Sequence, residues 1–98
     1  MEIRTLITFL RVAELRSFSR AAAQLGYSQA AVTIQIRQLE EELGVQLFER
    51  IGKKVRLTEE GRNLIPRAID VMNAVRAVRD LGRGDEPAGQ LRRGTAES

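Results

Sequence analysis

The sequence of 98 residues contains no cysteine, no histidine and no tryptophan. The absence of cysteine excludes disulfides, thiol nucleophiles and thiolate ligands for zinc. The absence of histidine removes the commonest general base and the commonest metal ligand, so hydrolytic or metal-dependent catalysis is disfavoured. We therefore expect a protein that is not an enzyme and that needs no cofactor and no metal.

Aromatic residues and long apolar runs are also scarce. Aromatic residues make up 4% of the chain, too few for the stacking surface that binds single-stranded nucleic acid. No apolar run approaches the roughly 18–20 residues that span a bilayer, and the N-terminus has no signal-peptide core. Hydrophobic residues still make up 43% of the chain, which is enough for a folded core. We expect a cytoplasmic protein without a membrane partner.

The net charge of +3 is unevenly distributed along the chain. Residues 1–57 hold nine basic and six acidic residues, whereas residues 58–98 hold seven of each. Within the first part, residues 15–39 contain three arginines and no acid, and residues 45–57 contain four basic residues and one acid. Residues 40–42, all glutamate, separate these zones. The pattern is typical of a surface that faces a polyanion, although ordinary solvated charge is the alternative.

Apolar spacing and capping residues predict three helices before residue 45. Apolar residues recur at steps of three and four, which is helical periodicity. Ser17 and Ser28 are good N-caps for the second and third helices. Gly26 and Gly44 are expected to end these two helices, because glycine readily adopts the left-handed conformation of a helix end. The predicted helices span residues 3–15, 18–25 and 29–43.

A small β-hairpin is predicted after the third helix. Short segments at 47–50 and 55–57 flank a glycine-bearing turn at 51–54, and apolar and polar residues alternate in the second segment. The tip of this hairpin is basic, with Lys53 and Lys54. Because two strands alone are only marginally stable, the hairpin must pack on the helices.

A long fourth helix is predicted to begin after the cap residue Thr58 and to extend to about Leu81. Pro66 is expected to bend this helix and not to end it. Apolar residues at steps of four and three form a heptad stripe along this helix. The residues that precede the helix are too few to cover this stripe, so the sequence predicts a homodimer. Residues 82–98 begin with a glycine-containing stretch that is expected to be a flexible linker. The predicted dimerisation residues are Leu64, Ala68, Val71, Val75 and Val78.

The second and third helices predict a helix-turn-helix. Ala22, Gly26 and Val32 supply a small contact residue, a turn glycine and an apolar anchor for the second helix of the pair. That helix would present the N-terminal part of its outer face to the major groove. Glutamine can pair with adenine, threonine can donate or accept, and alanine or isoleucine can contact a thymine methyl group. The predicted base-contacting residues are Gln29, Ala30, Thr33 and Ile34.

The adjacent basic hairpin extends this motif to a winged helix-turn-helix, so the predicted fold is mainly α with a small β-hairpin wing. For Ser19 and Ser28 the alternative role is helix capping, and for the lysines it is a solubilising turn. Residues 40–42 are interpreted as the far end of the recognition helix, kept away from phosphate. The predicted phosphate or wing contacts are Ser19, Arg20, Ser28, Arg37, Arg50, Lys53 and Lys54.

Four segments together resemble the N-terminal domain of LysR-type transcriptional regulators. They are Ser17-Phe18-Ser19-Arg20-Ala21-Ala22 with Leu25, Ser28-Gln29-Ala30-Ala31-Val32-Thr33-Ile34-Gln35-Ile36-Arg37-Gln38-Leu39-Glu40, Leu43-Gly44-Val45-Gln46-Leu47-Phe48-Glu49-Arg50 and Leu57-Thr58-Glu59-Glu60-Gly61. The resemblance covers residues 1 to about 81. It implies a DNA-binding head at 1–57, a linker and dimerisation helix at 58–81, and an antiparallel pair of linker helices. It also implies that the dimer recognises an interrupted inverted repeat in double-stranded DNA.

The sequence departs from this family at two base-contacting positions. The position of Ala30 is often proline or serine in the family, and that of Ile34 is often basic or polar. We therefore expect a preference directed more towards A·T pairs and thymine methyl groups. Residues 89–98 are similar to the first strand of the family's C-terminal effector domain, which implies a DNA-binding fragment and places any small-molecule effector site in the missing domain.

Two other functions are compatible with parts of the sequence. A helical protein–protein interaction module would use the long apolar helix, and the basic zones would then be incidental. A metal-sensing or multidrug-sensing winged-helix protein is disfavoured, because cysteine and histidine are absent and because the linker helix follows the hairpin.

Overall fold

The computed structural model describes residues 1–52 and 54–83. Four helices and a two-stranded antiparallel hairpin form a winged helix-turn-helix, which confirms the predicted fold class. The predictions for Lys53 and for residues 84–98 lie outside the described residues. The elements are α1 Ile3–Leu15, α2 Phe18–Leu25, α3 Gln29–Leu43, β1 Phe48–Ile51, β2 Lys54–Leu57 and α4 Glu59–Arg83.

The first three helices have the predicted bounds, because local capping determines their ends. The Ser17 hydroxyl accepts a hydrogen bond from the backbone N–H of Arg20 at 3.0 Å. Ser28 accepts the N–H three residues further on at 3.1 Å. Gly26 and Gly44 follow the helices with φ of 79° and 72°, a region that glycine occupies without steric cost.

The core lies between α1, α2 and α3 and is closed by the hairpin. The Phe48 ring, at the start of β1, lies 5.5 Å from that of Phe9 and 5.7 Å from that of Phe18, so the hairpin is packed on two helices. The Thr8 hydroxyl lies 2.7 Å from Oε1 of Gln35 and connects α1 to α3. The buried apolar side chains are Leu6, Phe9, Val12, Phe18, Ala21, Ala22, Val32, Ile36, Leu39, Leu47, Phe48 and Ala68.

The hairpin has a tighter turn than the sequence predicts. Phe48 pairs with Leu57 and Ile51 pairs with Lys54, so two positions lie between the strands where the sequence predicts four. The prediction for the turn at 51–54 was therefore wrong. The reason is that Gly52 adopts a φ of 63°, which lets a two-residue turn connect twisted strands.

The beginning of α4 is fixed against the hairpin. The Thr58 hydroxyl accepts the N–H of Gly61 at 3.0 Å, which confirms the predicted cap. Thr58 also donates its own N–H to the Leu47 carbonyl at 3.0 Å. A Cβ on Gly61 would overlap that carbonyl and would lie 2.8 Å from Cδ2 of Leu57. The helix therefore crosses the hairpin at a distance that only glycine allows.

The apolar stripe of α4 is covered by the chain itself over its first part only. Ala68 is 1% exposed and lies in the core, where α4 packs on α1, which revises its predicted role in contacting a second copy. Leu64 is half-buried against the same core. Further along, Val78 is 67% exposed and Leu81 is 81% exposed. No helix within residues 1–52 and 54–83 combines the length and hydropathy that a membrane-spanning segment requires.

Candidate nucleic-acid interface

The outer face of α3 is directed to solvent while its inner face is buried. Val32 is 0% exposed and Ile36 is 2% exposed, and they fix the rotation of the helix on the core. On the opposite side, Ile34 is 55% exposed. Gln29 and Ala30 are exposed as well, and Thr33 is partly exposed. The four predicted base-contacting residues therefore form one accessible surface at the N-terminal part of α3.

A cleft of about 250 Å³ lies between this surface and the hairpin. Gln29, Thr33 and Arg37 line it from α3, and Arg50 lines it from β1. Residues that lie 21 positions apart in the sequence are thereby brought to one opening. The structure places two predicted base-contacting residues and two predicted phosphate contacts around the same cleft.

A second cleft of about 200 Å³ adjoins the first and lies between the α1–α2 corner and the wing. Gln29 and Arg50 line both clefts. The other polar residues that line the second cleft are Arg16, Ser17, Ser19 and Lys54. The residues described around it include three cations and no acidic side chain. We call this opening the basic cleft.

Arg50 is held in place by an aromatic ring. The guanidinium carbon lies 4.4 Å from the ring centroid of Phe18, a favourable cation–π geometry. Phe18 is 7% exposed and is itself packed against Phe48. Since Phe18 begins α2 and Arg50 belongs to β1, this contact aligns the wing with the helix-turn-helix.

Ion pairs in the described part of the chain involve some arginines and not others, and Arg62, Arg76 and Arg79 have none, like the cations of the candidate interface. Arg4, Arg11, Arg56 and Arg67 each have a carboxylate within 4.0 Å in the described part of the chain. The described candidate cations have no such ion pair within residues 1–52 and 54–83. Glu40 lines one cleft together with Arg37 and Arg50 without forming an ion pair with either, so the cations remain available to an anion. These candidate cations are Arg20, Arg37, Arg50 and Lys54.

The two candidate serines differ in what they bond to. Ser28 caps α3, so its hydroxyl already accepts a backbone N–H. Ser19 is exposed, and its hydroxyl lies 3.1 Å from that of Ser17 at the edge of the basic cleft. Ser28 therefore has the capping role, which leaves its own O–H free to donate to a phosphate, and the phosphate contacts of Ser19 and Ser28 both stay predictions.

Within the acidic segment 40–42, Glu40 has a structural role that the sequence does not predict. Its carboxylate oxygen Oε2 accepts the backbone N–H of Leu47 at 2.7 Å and that of Phe48 at 3.3 Å. The reason is that α3 ends at Leu43 and the chain turns back, which brings the first hairpin residues beside the last turn of the helix. Glu40 therefore fixes the start of the wing to the recognition helix. Glu42, in contrast, is exposed, and its carboxylate oxygen Oε2 lies 2.9 Å from the N-terminal ammonium nitrogen.

Sequence reasoning missed two residues of this region, Glu40 and Arg16. Arg16 ends α1 with a φ of 54° and is the single non-glycine residue with positive φ in the described part of the chain. It directly precedes the cap residue Ser17. Such a short connection between two helices could have indicated a left-handed residue at this position. Nothing in the local sequence could have indicated the bond between Glu40 and Leu47, because it depends on how the chain turns.

Comparison with known proteins assigns this fold to a family. A sequence profile described as bacterial regulatory helix-turn-helix protein, lysR family, matches residues 3–62. The chain belongs to the lysR family. A relative from Escherichia coli strain K12, the uncharacterized HTH-type transcriptional regulator YfiE, is 40% identical over 93 residues, which are 94% of this chain and 32% of that protein. The HTH-type transcriptional regulator HdfR of Salmonella newport is 47% identical over 79 residues, 81% of this chain and 28% of HdfR.

Solved structures of lysR-family proteins have the same arrangement of elements. The BenM DNA-binding domain in complex with catB site 1 DNA has a TM-score of 0.79 and 38% identity, over 85% of this chain and 93% of that one. The CbnR DNA-binding domain in complex with DNA has a TM-score of 0.80 and 35% identity, over 85% and 95% of the two chains. The chain spans about a third or less of the length of YfiE and HdfR. The lysR-family relationship therefore concerns the helix-turn-helix region and α4.

Proposed function

We propose that this chain binds double-stranded DNA in a sequence-specific manner, as the DNA-binding part of a LysR-type transcriptional regulator. The observation on which the proposal rests is the convergence of the exposed face of α3 and unpaired cations of the wing at two adjoining clefts. The solved complexes of the similar BenM and CbnR domains with DNA support it.

In the proposed complex, bases are recognised by the N-terminal part of α3. The Gln29 amide is suited to a bidentate contact with adenine, and the Thr33 hydroxyl can donate or accept. Ala30 and Ile34 present apolar groups to thymine methyl groups. Ile34 is half-exposed, so its side chain is not needed to fill the core, and contact with a thymine methyl group gives it a function.

Phosphate contacts position the domain and do not themselves specify a sequence. The cations for these contacts come from three different elements, with Arg20 in α2, Arg37 in α3 and Arg50 in β1. Lys54, at the tip of the wing, faces the flanking backbone or minor groove in this proposal, and we assign the same role to Lys53. These contacts release counterions, so the affinity falls steeply with salt concentration.

We further propose that two copies associate through α4 and that the dimer recognises an interrupted inverted repeat. The exposed apolar residues of α4, among them Val71 at 37% and Val78 at 67%, support association. A groove of about 480 Å³ between α1 and α4, lined in part by Leu10, Met72 and Val75, offers room for side chains of a partner helix. In such a dimer the half-site spacing follows from the distance between the two recognition helices.

Selection of bound duplexes from a random pool tests the DNA-binding proposal. We expect an enriched sequence with two half-sites in inverted orientation, and we expect that changing their spacing by half a helical turn abolishes high affinity.

Gln29→Ala should lower the preference at one base pair by roughly 1–3 kcal/mol. Gln24→Ala, an exposed glutamine of α2, is the matched control and should leave the preference unchanged. Equal weakening on all sequences by Gln29→Ala would contradict base recognition by this residue.

The interaction-module alternative is favoured by one observation, the exposed apolar side chains in the second half of α4. This alternative predicts self-association or binding to another protein without affinity for duplexes. Titration of a duplex at several salt concentrations separates the two functions, because only the DNA-binding domain shows a steep salt dependence.

A further inference from the structure

Arg16 has a backbone conformation that is unfavourable for its side chain. Its φ of 54° lies in the left-handed region, where a residue with a Cβ is strained and glycine is not. The conformation is required by the end of α1, because the Arg16 N–H closes the helix on the Val12 carbonyl at 2.7 Å. At this position glycine would make the same backbone bond with less strain.

The Arg16 side chain contributes little to the fold that would compensate for this strain. It is exposed, and it forms no ion pair and no side-chain hydrogen bond within residues 1–52 and 54–83. The end of α1 requires the left-handed backbone but does not require an arginine there, and residues held in strained conformations are concentrated at functional sites. The surroundings of the side chain therefore indicate what it does.

Arg16 lines the basic cleft opposite the wing. Arg50 and Lys54 line the same opening, whose described walls contain no acidic side chain. Three like charges around about 200 Å³ repel each other, and an anion placed between them removes this repulsion. Ser19 and Gln29 line the cleft as well and can donate hydrogen bonds to the same anion.

We infer that Arg16 is a DNA phosphate contact, which binds the backbone segment that Arg50 and Lys54 face from the wing. The α1–α2 corner and the wing then hold one stretch of phosphates from two sides. This inference rests on the proposed DNA-binding function and adds to it a residue of the α1–α2 corner.

Arg16→Gly tests this inference, because it removes the charge and relieves the backbone at the same time. The affinity for duplexes should fall about eightfold at 0.1 M salt, the loss of one counterion-releasing contact, and the slope of log K against log salt should become shallower by about 0.9. The loss should be equal on the selected duplex and on an unrelated duplex, since a phosphate contact carries no sequence information. The melting temperature should be unchanged or higher.

Two further variants separate the contact from general effects of charge. Arg4→Gly removes one charge from an exposed position at the other end of α1, about 18 Å away along the helix axis, and should change the salt slope by much less. Arg16→Lys keeps the charge on the same backbone and should retain the slope of the unchanged protein.

The outcomes distinguish this inference from the proposed function. If the unchanged protein binds no duplex, the proposed function fails and the inference fails with it. If the unchanged protein binds and Arg16→Gly has the same affinity and slope, the inference is overturned while the proposed function stands. A loss on the selected duplex alone, or a lower melting temperature for Arg16→Gly, would also overturn it.

Discussion

Two regions that both involve α4 differ in how completely the chain contacts itself. At the first, which we call the junction and define by Glu40, Leu47, Thr58 and Gly61, side chain and backbone groups are bonded or in close contact. At the second, the far half of α4 over residues 69–83, exposed apolar side chains project from a helix that the rest of the chain covers only in part. The same apolar spacing runs through both halves of the helix.

The two halves of α4 therefore have different structural roles. The junction fixes the angle at which α4 leaves the head, because the Thr58 cap, the Leu47 carbonyl and Gly61 meet at its first turn. The far half is free to contact another molecule. Substitutions at the junction should therefore change the stability of the single chain, whereas substitutions in the far half should change association.

The largest effect is expected for Gly61→Ala. A Cβ at this position would overlap the backbone carbonyl of Leu47, which cannot rotate away as a side chain can. We expect a loss of about 3 kcal/mol in the free energy of unfolding, at the upper end for forced overpacking. Chemical denaturation followed by circular dichroism measures it.

Gly82→Ala is the matched control in the far half of the same helix. A Cβ at Gly82 has no heavy atom within 4 Å, so this substitution should stabilise the helix slightly, by less than about 1 kcal/mol. If both alanines had the same effect, the contrast between the two regions would be lost.

A smaller loss is expected for Glu40→Ala. The variant leaves the N–H groups of Leu47 and Phe48 without their acceptor, and an unsatisfied buried group costs about 1–3 kcal/mol. The wing should also become more mobile, since its first residues lose their connection to α3. Denaturation measures the first effect, and hydrogen exchange of the β1 amides measures the second.

The matched control is Glu41→Ala, which removes the same charge from an exposed neighbour. A surface substitution of this kind should change the stability by no more than about 0.5 kcal/mol. Equal stability of the two variants would show that the carboxylate of Glu40 does not fix the wing.

The smallest effect on the single chain is expected for Val78→Ser. Val78 is 67% exposed, so the stability of the fold should change by less than about 0.5 kcal/mol. If α4 forms the proposed dimer, the dissociation constant of the dimer should rise roughly tenfold, which corresponds to about 1.4 kcal/mol. Sedimentation equilibrium measures this constant. Ala77→Ser, next to it on the exposed surface, should leave it unchanged, and a dimer insensitive to Val78 would place the interface elsewhere.

Most of the fold was predictable because its signals are local. Ser17 and Ser28 lie directly before the helices that they cap, and Gly26 and Gly44 directly after the helices that they end. The bounds of α1, α2 and α3 are confirmed for this reason. The turn of the hairpin was not predictable to the residue, because strand pairing can be extended towards Gly52 without any change in the apolar pattern.

The candidate site was predictable as a surface and not as a set of contacts. The buried stripe through Val32 and Ile36 determines which face of α3 is outside, and periodicity reveals that stripe. The bond from Glu40 to the hairpin and the stacking of Arg50 on Phe18 join residues that are distant in sequence or that belong to different elements. Periodicity likewise identified the stripe of α4 but could not indicate that Ala68 is buried in the core of the single chain.

The stacking of Arg50 on Phe18 has a consequence for how the wing would bind. A long side chain that is ordered on binding loses conformational entropy, which costs about 0.5–1.5 kcal/mol for each such side chain. Contact with the ring 4.4 Å away restricts Arg50 in the free protein, so part of this loss occurs on folding and less remains for complex formation. Lysine at this position would keep the charge and lose the planar group that stacks, so the exchange would weaken binding without changing the net charge.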